Sequence, residues 1–475
     1  MASPTDIPAA PSSWGQRTWH TIRRSLRNET ADATQGPVAD TLTLLAIPMA
    51  AEMLLEGVFA LVDIVLVARL GKEAVSAVGL TEAMLTLIYA VAIGLASAAT
   101  AMVARRVGEG APKAAADVGG QVLLLCGVLG LVIALVGFNF ADELLALIGA
   151  DETVIETGRH YTTIQLGGAV SVLALFVING VFRGAGNAAI AMRALWLSNA
   201  INIVLDPLLI FGLGPFPAMG VTGAAVATVI GRSTGVLYQC WHLFGGTQAV
   251  HLSLGSLLPR PRLMGRLIYV ASGAIAQFLF ATSAWIFLMR IVATFGSGAV
   301  AGYTIAIRIV DFVIMPMWGL GNATATMVGQ NLGAKQPQRA EDAVWLASRF
   351  TFVVMAAAGL LIALIAPWLI ALLIDDGEAL RYGIAALRFL GIGLGAFSLG
   401  LMLIQAFNGA GDTYTPMRIN FVVFWVMQLP MAWLLAISAG LGPNGVFAAV
   451  IGCETVLSIA AFVLFRRGKW KLREV

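Results

Sequence analysis

Charged residues are scarce in this chain of 475 residues. Asp, Glu, Lys and Arg make up 12% of it, hydrophobic residues make up 59%, and the mean hydropathy is +0.86. A soluble domain carries about 25% charged residues, so this sequence cannot cover a water-facing surface of the required area. The composition excludes an ordinary soluble protein, and a net charge of +3 is too small to indicate a nucleic-acid partner.

Residues typical of metal sites and catalytic centres are also few. The three cysteines, Cys126, Cys240 and Cys453, lie singly within apolar runs and lack the CxxC spacing of metal or redox sites. The sequence contains no GxxxxGK[ST] phosphate loop, no HExxH pair and no GxSxG elbow. We therefore expect no cofactor, no metal centre and no enzyme activity. Any transport of a substrate against its concentration gradient would have to be driven by an ion gradient.

Long apolar stretches are what the sequence has in abundance, and twelve can cross the ~30 Å hydrocarbon core of a bilayer. The first six spans are predicted at residues 42–66, 76–103, 118–140, 160–182, 194–213 and 220–243. The second six are predicted at residues 267–293, 300–328, 344–374, 382–407, 418–440 and 445–465. The predicted fold class is an all-α polytopic membrane protein.

Lys and Arg are distributed unevenly between the predicted loops. With the N-terminus inside, the inner segments hold most of them: Arg105, Arg106, Lys113, Arg183, Arg193, Arg260, Arg262, Arg266, Lys335, Arg339, Arg418 and the basic tail. The outer loops chiefly hold Arg69, Lys72, Arg159 and Arg381. By the positive-inside rule both termini are cytoplasmic, in a cytoplasmic (inner or plasma) membrane.

The second half of the sequence repeats the first at one constant offset, the offset that pairs Gly94 with Gly319. The matches include residues 94–95 with 319–320, 102–103 with 327–328, 184–186 with 409–411, and 220–221 with 445–446. Since each half has six spans, both enter the membrane in the same direction. We therefore expect two six-helix lobes related by a pseudo-two-fold axis along the membrane normal.

This organisation gives five predicted segments. They are a cytoplasmic N-terminal segment that is either an amphipathic helix around 12–28 or a disordered basic tail (1–40), an N lobe (41–243), a cytoplasmic linker (244–266), a C lobe (267–466) and a basic tail (467–475).

The first span carries three acids, Glu52, Glu56 and Asp63. At 100° per residue, Glu56 and Asp63 lie about 40° and 20° around the helix from Glu52, so all three point the same way. Charges inside spans are costly and are functional candidates by default. Pro48, one turn before them, can kink the helix because it lacks an amide hydrogen.

The fifth span adds Asn202 and Asp206, which lie four residues apart on one helix face and precede Pro207. Asp206 and Asp63 are both in the outer part of their spans. Two carboxylates and an amide at similar depth could hold a proton or a Na⁺ ion, because both need oxygen donors. A static hydrogen-bonded polar core is the alternative for these residues.

The second half lacks these groups. The positions that the repeat makes equivalent to Glu52, Asp63 and Asp206 are occupied by Gln277, Leu288 and Met431. Its own candidates are Gln277, Glu454 and the Arg308–Asp311 pair. Arg308 and Asp311 are one turn apart, which favours an internal ion pair over a transport site. The ion chemistry is therefore predicted to lie in the N lobe.

These features together resemble the multidrug and toxic compound extrusion (MATE) family over residues 41–467. The resemblance rests on the duplicated six-span unit, on Pro48 and Asp63 within a first span containing FALVDIVLVARLG, on NIVLDPLLIFGLG in span five, and on the paired loops RGAGN and NGAGD. The absence of acids in spans seven and ten makes the chain more similar to the DinF-like branch than to the NorM-like branch.

The resemblance implies two lobes around a central cleft and exchange of H⁺ or Na⁺ for amphipathic organic cations or drugs. It places Asp63, Asn202 and Asp206 on the N-lobe cation site, Asn179 on a polar neighbour, and Pro48 where the first span bends. It implies H⁺ coupling in this branch. We expect a monomer whose partners are organic cations and membrane lipids.

Two other functions remain open from the sequence. A lipid-linked precursor flippase shares this superfamily's architecture, and an integral-membrane enzyme would need clustered polar groups at one interface. Acids in the cavity would favour cation export, whereas arginines there would favour anionic lipid carriers.

Overall fold

The protein is described here by a computed structural model that covers residues 24–25, 32–245, 250–375 and 377–473. Within these ranges it is helical and contains no β-strand. The N-terminal lobe is formed by α1 (Val38–Ala68), α2 (Lys72–Gly108), α3 (Pro112–Ile148), α4 (Glu152–Gly167), α5 (Ala169–Gly184), α6 (Ala188–Phe211) and α7 (Val221–Phe244). The C-terminal lobe is formed by α8 (Pro261–Ala293), α9 (Ser297–Gly333), α10 (Pro337–Ala371), α11 (Gly377–Gly409), α12 (Tyr414–Ser438) and α13 (Pro443–Arg466).

The helices agree with the predicted spans. Ten of those described are long and apolar enough to cross a bilayer, and the count is 11 when α4 and α5, which meet at a 40° bend, form one span. Helix α7 is the counterpart of α13 in the other lobe and has the same length, 24 residues. The prediction of an all-α membrane protein is confirmed.

Equivalent helices begin with the same local chemistry in both lobes. Helices α3 and α10 each start with a proline, Pro112 and Pro337, where the missing amide hydrogen costs nothing. Helices α2 and α9 each follow a glycine, Gly71 and Gly296, with φ near 104° and 99°. Such positive φ values favour glycine, so the sequence repeat at these sites is a repeat of backbone shape.

The packing inside each lobe is also repeated. A Cβ atom at Gly184 would overlap the carbonyl oxygen of Thr100, and one at Gly409 would overlap that of Ala325. The offset of the sequence repeat relates Gly184 to Gly409 and also Thr100 to Ala325. Gly184 and Gly409 therefore occupy equivalent places, as predicted.

The lobes contact each other through a symmetric crossing of α2 and α9. Gly108 lies against the backbone of Gln330, and Gly333 lies against the backbone of Arg105. Each contact becomes the other when the two halves are exchanged, which is the signature of a two-fold axis between them.

The described segment that precedes α1 lies at this same end of the bundle, which we call the terminal end. Ala33 N–H donates to Gln330 Oε1 (3.1 Å), and Arg339 donates to the carbonyl oxygens of Gln35 and Gly36 (2.7 Å each). The segment before α1 is thus bound to the C-terminal lobe. The predicted amphipathic segment at 12–28 lies outside the described residues, apart from Arg24 and Ser25.

The constant offset does not hold in the last span, which corrects one sequence match. The N-caps of α7 and α13 are Gly220 (φ 55°, ψ −135°) and Gly442 (φ 61°, ψ −149°), so Gly220 is equivalent to Gly442 and not to Gly445. The residue before each N-cap donates its backbone N–H to a carbonyl oxygen of the preceding helix. Met219 donates to Leu209 (2.8 Å), and Leu441 donates to Leu435 (3.2 Å).

The change of register has a physical cause in α12 and in the loop that follows it. Residues Phe421–Gln428 and Leu434–Ser438 of α12 are π-helical, a geometry that accommodates an inserted residue within a helix. The following loop, 439–442, is shorter than its counterpart, 212–220. Equivalent residues of α7 and α13 are therefore those counted from Gly220 and Gly442.

Candidate functional site

The three acids of α1 all point into the N-terminal lobe, although their surroundings differ. Glu52 is 1% exposed, while Glu56 and Asp63 are half-buried. Helix α1 runs without interruption through Pro48, which leaves the carbonyl oxygen one turn earlier without its usual amide donor.

Glu52 is held in a buried network with Arg183. Arg183 Nη2 donates to Glu52 Oε1, and Asn179 Nδ2 donates to the same oxygen at 2.9 Å. Gln239 of α7 in turn donates to Asn179 Oδ1. Arg183 was expected in an inner segment. It lies at the end of α5, beside Gly184, whose carbonyl oxygen accepts from Gln330, but its side chain is buried in the lobe and only 8% exposed.

A second arginine, Arg232 of α7, lies among the other carboxylates. Its Nη2 donates to the hydroxyl of Tyr89 at 2.6 Å. Glu56, Asp63 and the exposed Glu82 are all near enough to interact electrostatically with its guanidinium. Arg232 is therefore the cationic centre around which the acids of α1 and α2 are arranged.

Asp206 is the most deeply buried of the predicted acids, at 0% exposure. Its Oδ1 accepts a long hydrogen bond from Asn202 Nδ2 (3.4 Å), and that amide also donates to Thr228 Oγ1 (3.1 Å). Asp63 is close enough for the two carboxylates to repel each other.

Several oxygens of this group have no protein hydrogen-bond partner, namely Asp206 Oδ2, Asn202 Oδ1 and Asp63 Oδ1. Burying a polar atom without a partner costs about 1–3 kcal/mol. The arrangement is therefore suited to a ligand that supplies a positive partner, either a proton or a small hard cation. Asp63, Asn202 and Asp206 lie in the same lobe interior, and Asn179 lies in the neighbouring network of Glu52.

The MatE family profile matches the chain twice, at residues 48–208 and again at 274–434. The chain belongs to the MatE family. Both matches begin in the first span of a lobe and end in its fifth, so the family unit is the duplicated half.

Similarity to known MatE proteins extends over nearly the full length. The chain is 27% identical over 436 residues to "Probable multidrug resistance protein NorM" of Thermotoga maritima, covering 91% of this chain and 93% of the relative. It is 27% identical over 424 residues to the "FAD transporter" of Shewanella oneidensis, covering 86% and 90%. A structure described as "Outward-facing conformation of a multidrug resistance MATE family transporter of the MOP superfamily" matches with a TM-score of 0.87 and 28% identity, covering 94% and 99%.

In this MatE chain the sequence reading missed four groups that lie near the acids of α1. They are Glu82, Tyr89, Arg232 and Gln239. Glu82 and Arg232 lie inside predicted spans. The criterion that identified Asp63, a charged residue within an apolar span, therefore applies to them as well. Nothing in the sequence indicates which acid each arginine would pair with.

The C-terminal lobe places its candidates differently. Gln277 donates to Asn408 Oδ1 (3.1 Å) and to the carbonyl oxygen of Thr413 (2.8 Å) and is therefore a buried structural amide. Arg308 and Asp311 do not form the expected direct ion pair, although the guanidinium acts on the carboxylate at longer range. Asp311 and Glu454 both line a cavity inside this lobe.

Proposed function

We propose that this chain is a multidrug efflux antiporter that exchanges H⁺ for amphipathic organic cations by alternating access. The observation that carries the proposal is the charge of the N-terminal lobe interior. Four carboxylates are buried or half-buried there, against two arginines: Glu52, Glu56, Asp63 and Asp206 against Arg183 and Arg232. Such an interior attracts cations.

Asp63 and Asp206 are assigned the coupling step. When both are ionised, their mutual repulsion keeps the region hydrated and favourable for a cationic substrate. A proton that arrives on one of them removes the repulsion and weakens the attraction. Na⁺ at Asp63, Asn202 and Asp206 is the alternative coupling ion, because the unpartnered oxygens would suit it as well.

Pro48 is assigned the role of hinge in α1. Protonation would favour collapse of the hydrated region, and the helix can yield where one of its backbone hydrogen bonds is missing. The side chains of Asp63 and Asp206 lie beyond this point, so bending at Pro48 would move Asp63 relative to Asp206.

From the charge bias of the loops we propose that both termini are cytoplasmic. We also propose that the protein acts as a monomer. The lobes touch at the terminal end, through Gly108 and Gly333, and further along α1 and α9, where Gly319 lies against Ala50. With the termini inside, these contacts close the cytoplasmic end and correspond to an outward-facing state.

Transport of anions is the second class to consider, since one relative is named an FAD transporter. Both interior arginines already face anionic or hydroxyl partners, Arg183 at Glu52 and Arg232 at Tyr89. The excess of acids therefore favours cations. We also infer the DinF-like branch, because α8 has no acid and α11 has none beyond its first turn.

The charge balance of the proposed exchange determines which part of the proton gradient can drive it. One-for-one exchange of H⁺ for a monovalent cation moves no net charge, so the membrane potential, although about 2.3 kcal/mol per 100 mV per charge, would not drive it. Only the pH difference would.

Efflux of a cationic dye from proteoliposomes under imposed gradients tests the proposal. We expect efflux with a pH gradient alone and little change when the potential is clamped with valinomycin and K⁺. Efflux that follows a Na⁺ gradient and ignores the pH gradient would overturn proton coupling.

A further inference from the structure

The C-terminal lobe holds a cavity of about 600 Å³ between α8, α9, α11 and α13, and part of its lining, including Trp285 and Asp311, is exposed. Its walls are mainly apolar and aromatic, with Phe278, Trp285, Tyr303 and Phe397 among them. Two carboxylates, Asp311 and Glu454, enter from α9 and α13. The volume lies within the range of about 300–1,000 Å³ typical of sites for drug-sized ligands.

The repeat relates the lining of this cavity to positions in the N-terminal lobe. Ala281 and Ile307 line the cavity at the positions that Glu56 and Glu82 occupy in the N-terminal lobe. Shorter or uncharged side chains thus replace two long acids. The two acids of the N-terminal lobe therefore have no counterparts here, and the lining of the cavity is more apolar.

The last helix of each lobe reverses the sign of one charge. Counted from the equivalent N-caps Gly220 and Gly442, Glu454 occupies the position of Arg232. The N-terminal lobe therefore has a cation at the point where the C-terminal lobe has an anion. The constant offset of the sequence repeat conceals this relation, because it pairs Glu454 with Val229.

Neither carboxylate of the cavity is neutralised by a direct partner. Among the described residues no cationic side chain forms a salt bridge with Asp311 or Glu454, and Arg308 acts on Asp311 only from a distance. Glu454 is half-buried, and a carboxylate in apolar surroundings gains strongly from a cationic partner. The aromatic walls can also contact a cation through their ring faces.

We propose that this cavity is a binding site for a drug-sized aromatic monocation, with Glu454 and Asp311 as its counter-charges. The assignment takes its substrate class from the proposed export of organic cations. It adds a site in the C-terminal lobe, separate from the carboxylates that carry the proton in the N-terminal lobe.

The test measures equilibrium binding of ethidium, a planar aromatic cation, to the purified full chain in detergent at fixed pH. An Asp206→Asn background removes the proposed coupling acid, so that the result does not depend on whether transport is proton-driven. We expect saturable binding in this background. Adding Glu454→Gln should weaken it about tenfold or more, as expected for loss of a charged contact.

A steric variant keeps the test independent of charge and of any folding defect at Glu454. Ala281→Trp fills the cavity from α8 and should also weaken ethidium binding, whereas Ala281→Ser should not. Asp375→Asn, which changes an exposed acid of the same lobe, is the matched charge control and should bind as the background does.

Thermal unfolding of each variant verifies that it is folded. Unchanged ethidium affinity in both folded Glu454→Gln and folded Ala281→Trp would overturn the site. Absence of saturable binding in the Asp206→Asn background would overturn it too. Efflux driven by Na⁺ instead of H⁺ would contradict the coupling proposal alone and leave this site standing.

Discussion

In the N-terminal lobe Glu52 and Arg183 form a buried ion pair, and the same two positions in the C-terminal lobe hold Gln277 and Asn408, which form an amide pair. The contact between the first and fourth spans is thus kept while its charge is lost. A polar contact at this place serves the fold of both lobes, since each joins the same two helices. The charges belong to one lobe only and therefore point to function.

The two lobes also differ in charge further from the terminal end. Around Arg232 the N-terminal lobe gathers acids, whereas the C-terminal lobe has a chamber with Glu454 at the equivalent position. The two lobes are copies of one fold, and they have diverged so that the interior of the first is strongly charged and the second holds a mainly apolar cavity. We assign the coupling ion to the first and an organic cation to the second.

The largest expected effect is on transport. Asp63→Asn should abolish coupled dye efflux while the protein remains folded and inserted, because the amide cannot take up and release the coupling proton but keeps much of the hydrogen bonding. The equivalent residue of the other lobe is Leu288, and Leu288→Met should retain efflux. Wild-type efflux by well-inserted Asp63→Asn would remove the difference between the lobes.

The two buried polar pairs should differ in what they contribute to stability. Arg183→Met leaves the Glu52 carboxylate buried without its cation and should lower the free energy of unfolding by about 3–5 kcal/mol. Asn408→Leu leaves only an amide short of a partner and should cost about 1–3 kcal/mol. Denaturant unfolding in detergent micelles measures both.

A transplant of the neutral pair sharpens this comparison. The double variant Glu52→Gln with Arg183→Asn places the C-terminal amides in the N-terminal lobe and should recover most of the stability lost in Arg183→Met. If Arg183→Met and Asn408→Leu cost the same, the ion pair is not a special feature of the N-terminal lobe.

The smallest effects should be equal in the two lobes. Gly108→Ala and Gly333→Ala each push a methyl group against the backbone of the other lobe, and each should cost about 1–3 kcal/mol. Gly79, also helical, has nothing within 4 Å of a Cβ atom, so Gly79→Ala should be neutral or stabilise by up to about 1 kcal/mol. Unequal costs at Gly108 and Gly333 would show that the crossing is not symmetric.

Much of the fold follows from the sequence because its signals are local. Apolar length gives the spans, and Pro112, Pro337, Gly71 and Gly296 mark helix starts that repeat at one offset. The break in the offset after α12 could not be found this way. An inserted residue absorbed by π-helical turns leaves no mark on hydropathy.

The candidate site was predictable only in part. Asp63 and Asp206 are conspicuous because acids are rare in apolar spans. The burial of Arg183 was not predictable, because the residue precedes a Gly-Ala-Gly turn that reads as a loop. The relation of Glu454 to Arg232 depends on which residues face each other in space, and the equivalent N-caps establish it.

The central claim is that protons bound in the N-terminal lobe weaken the binding of a cationic substrate. Ethidium affinity measured across pH, in wild type and in Asp206→Asn, tests it most directly. The account predicts that wild-type affinity falls as the solution is acidified. It predicts that Asp206→Asn loses the part of this dependence that comes from the N-terminal lobe and keeps the part that comes from Glu454 and Asp311. A wild-type curve that is flat in pH, or one that follows Na⁺ concentration instead, would contradict it.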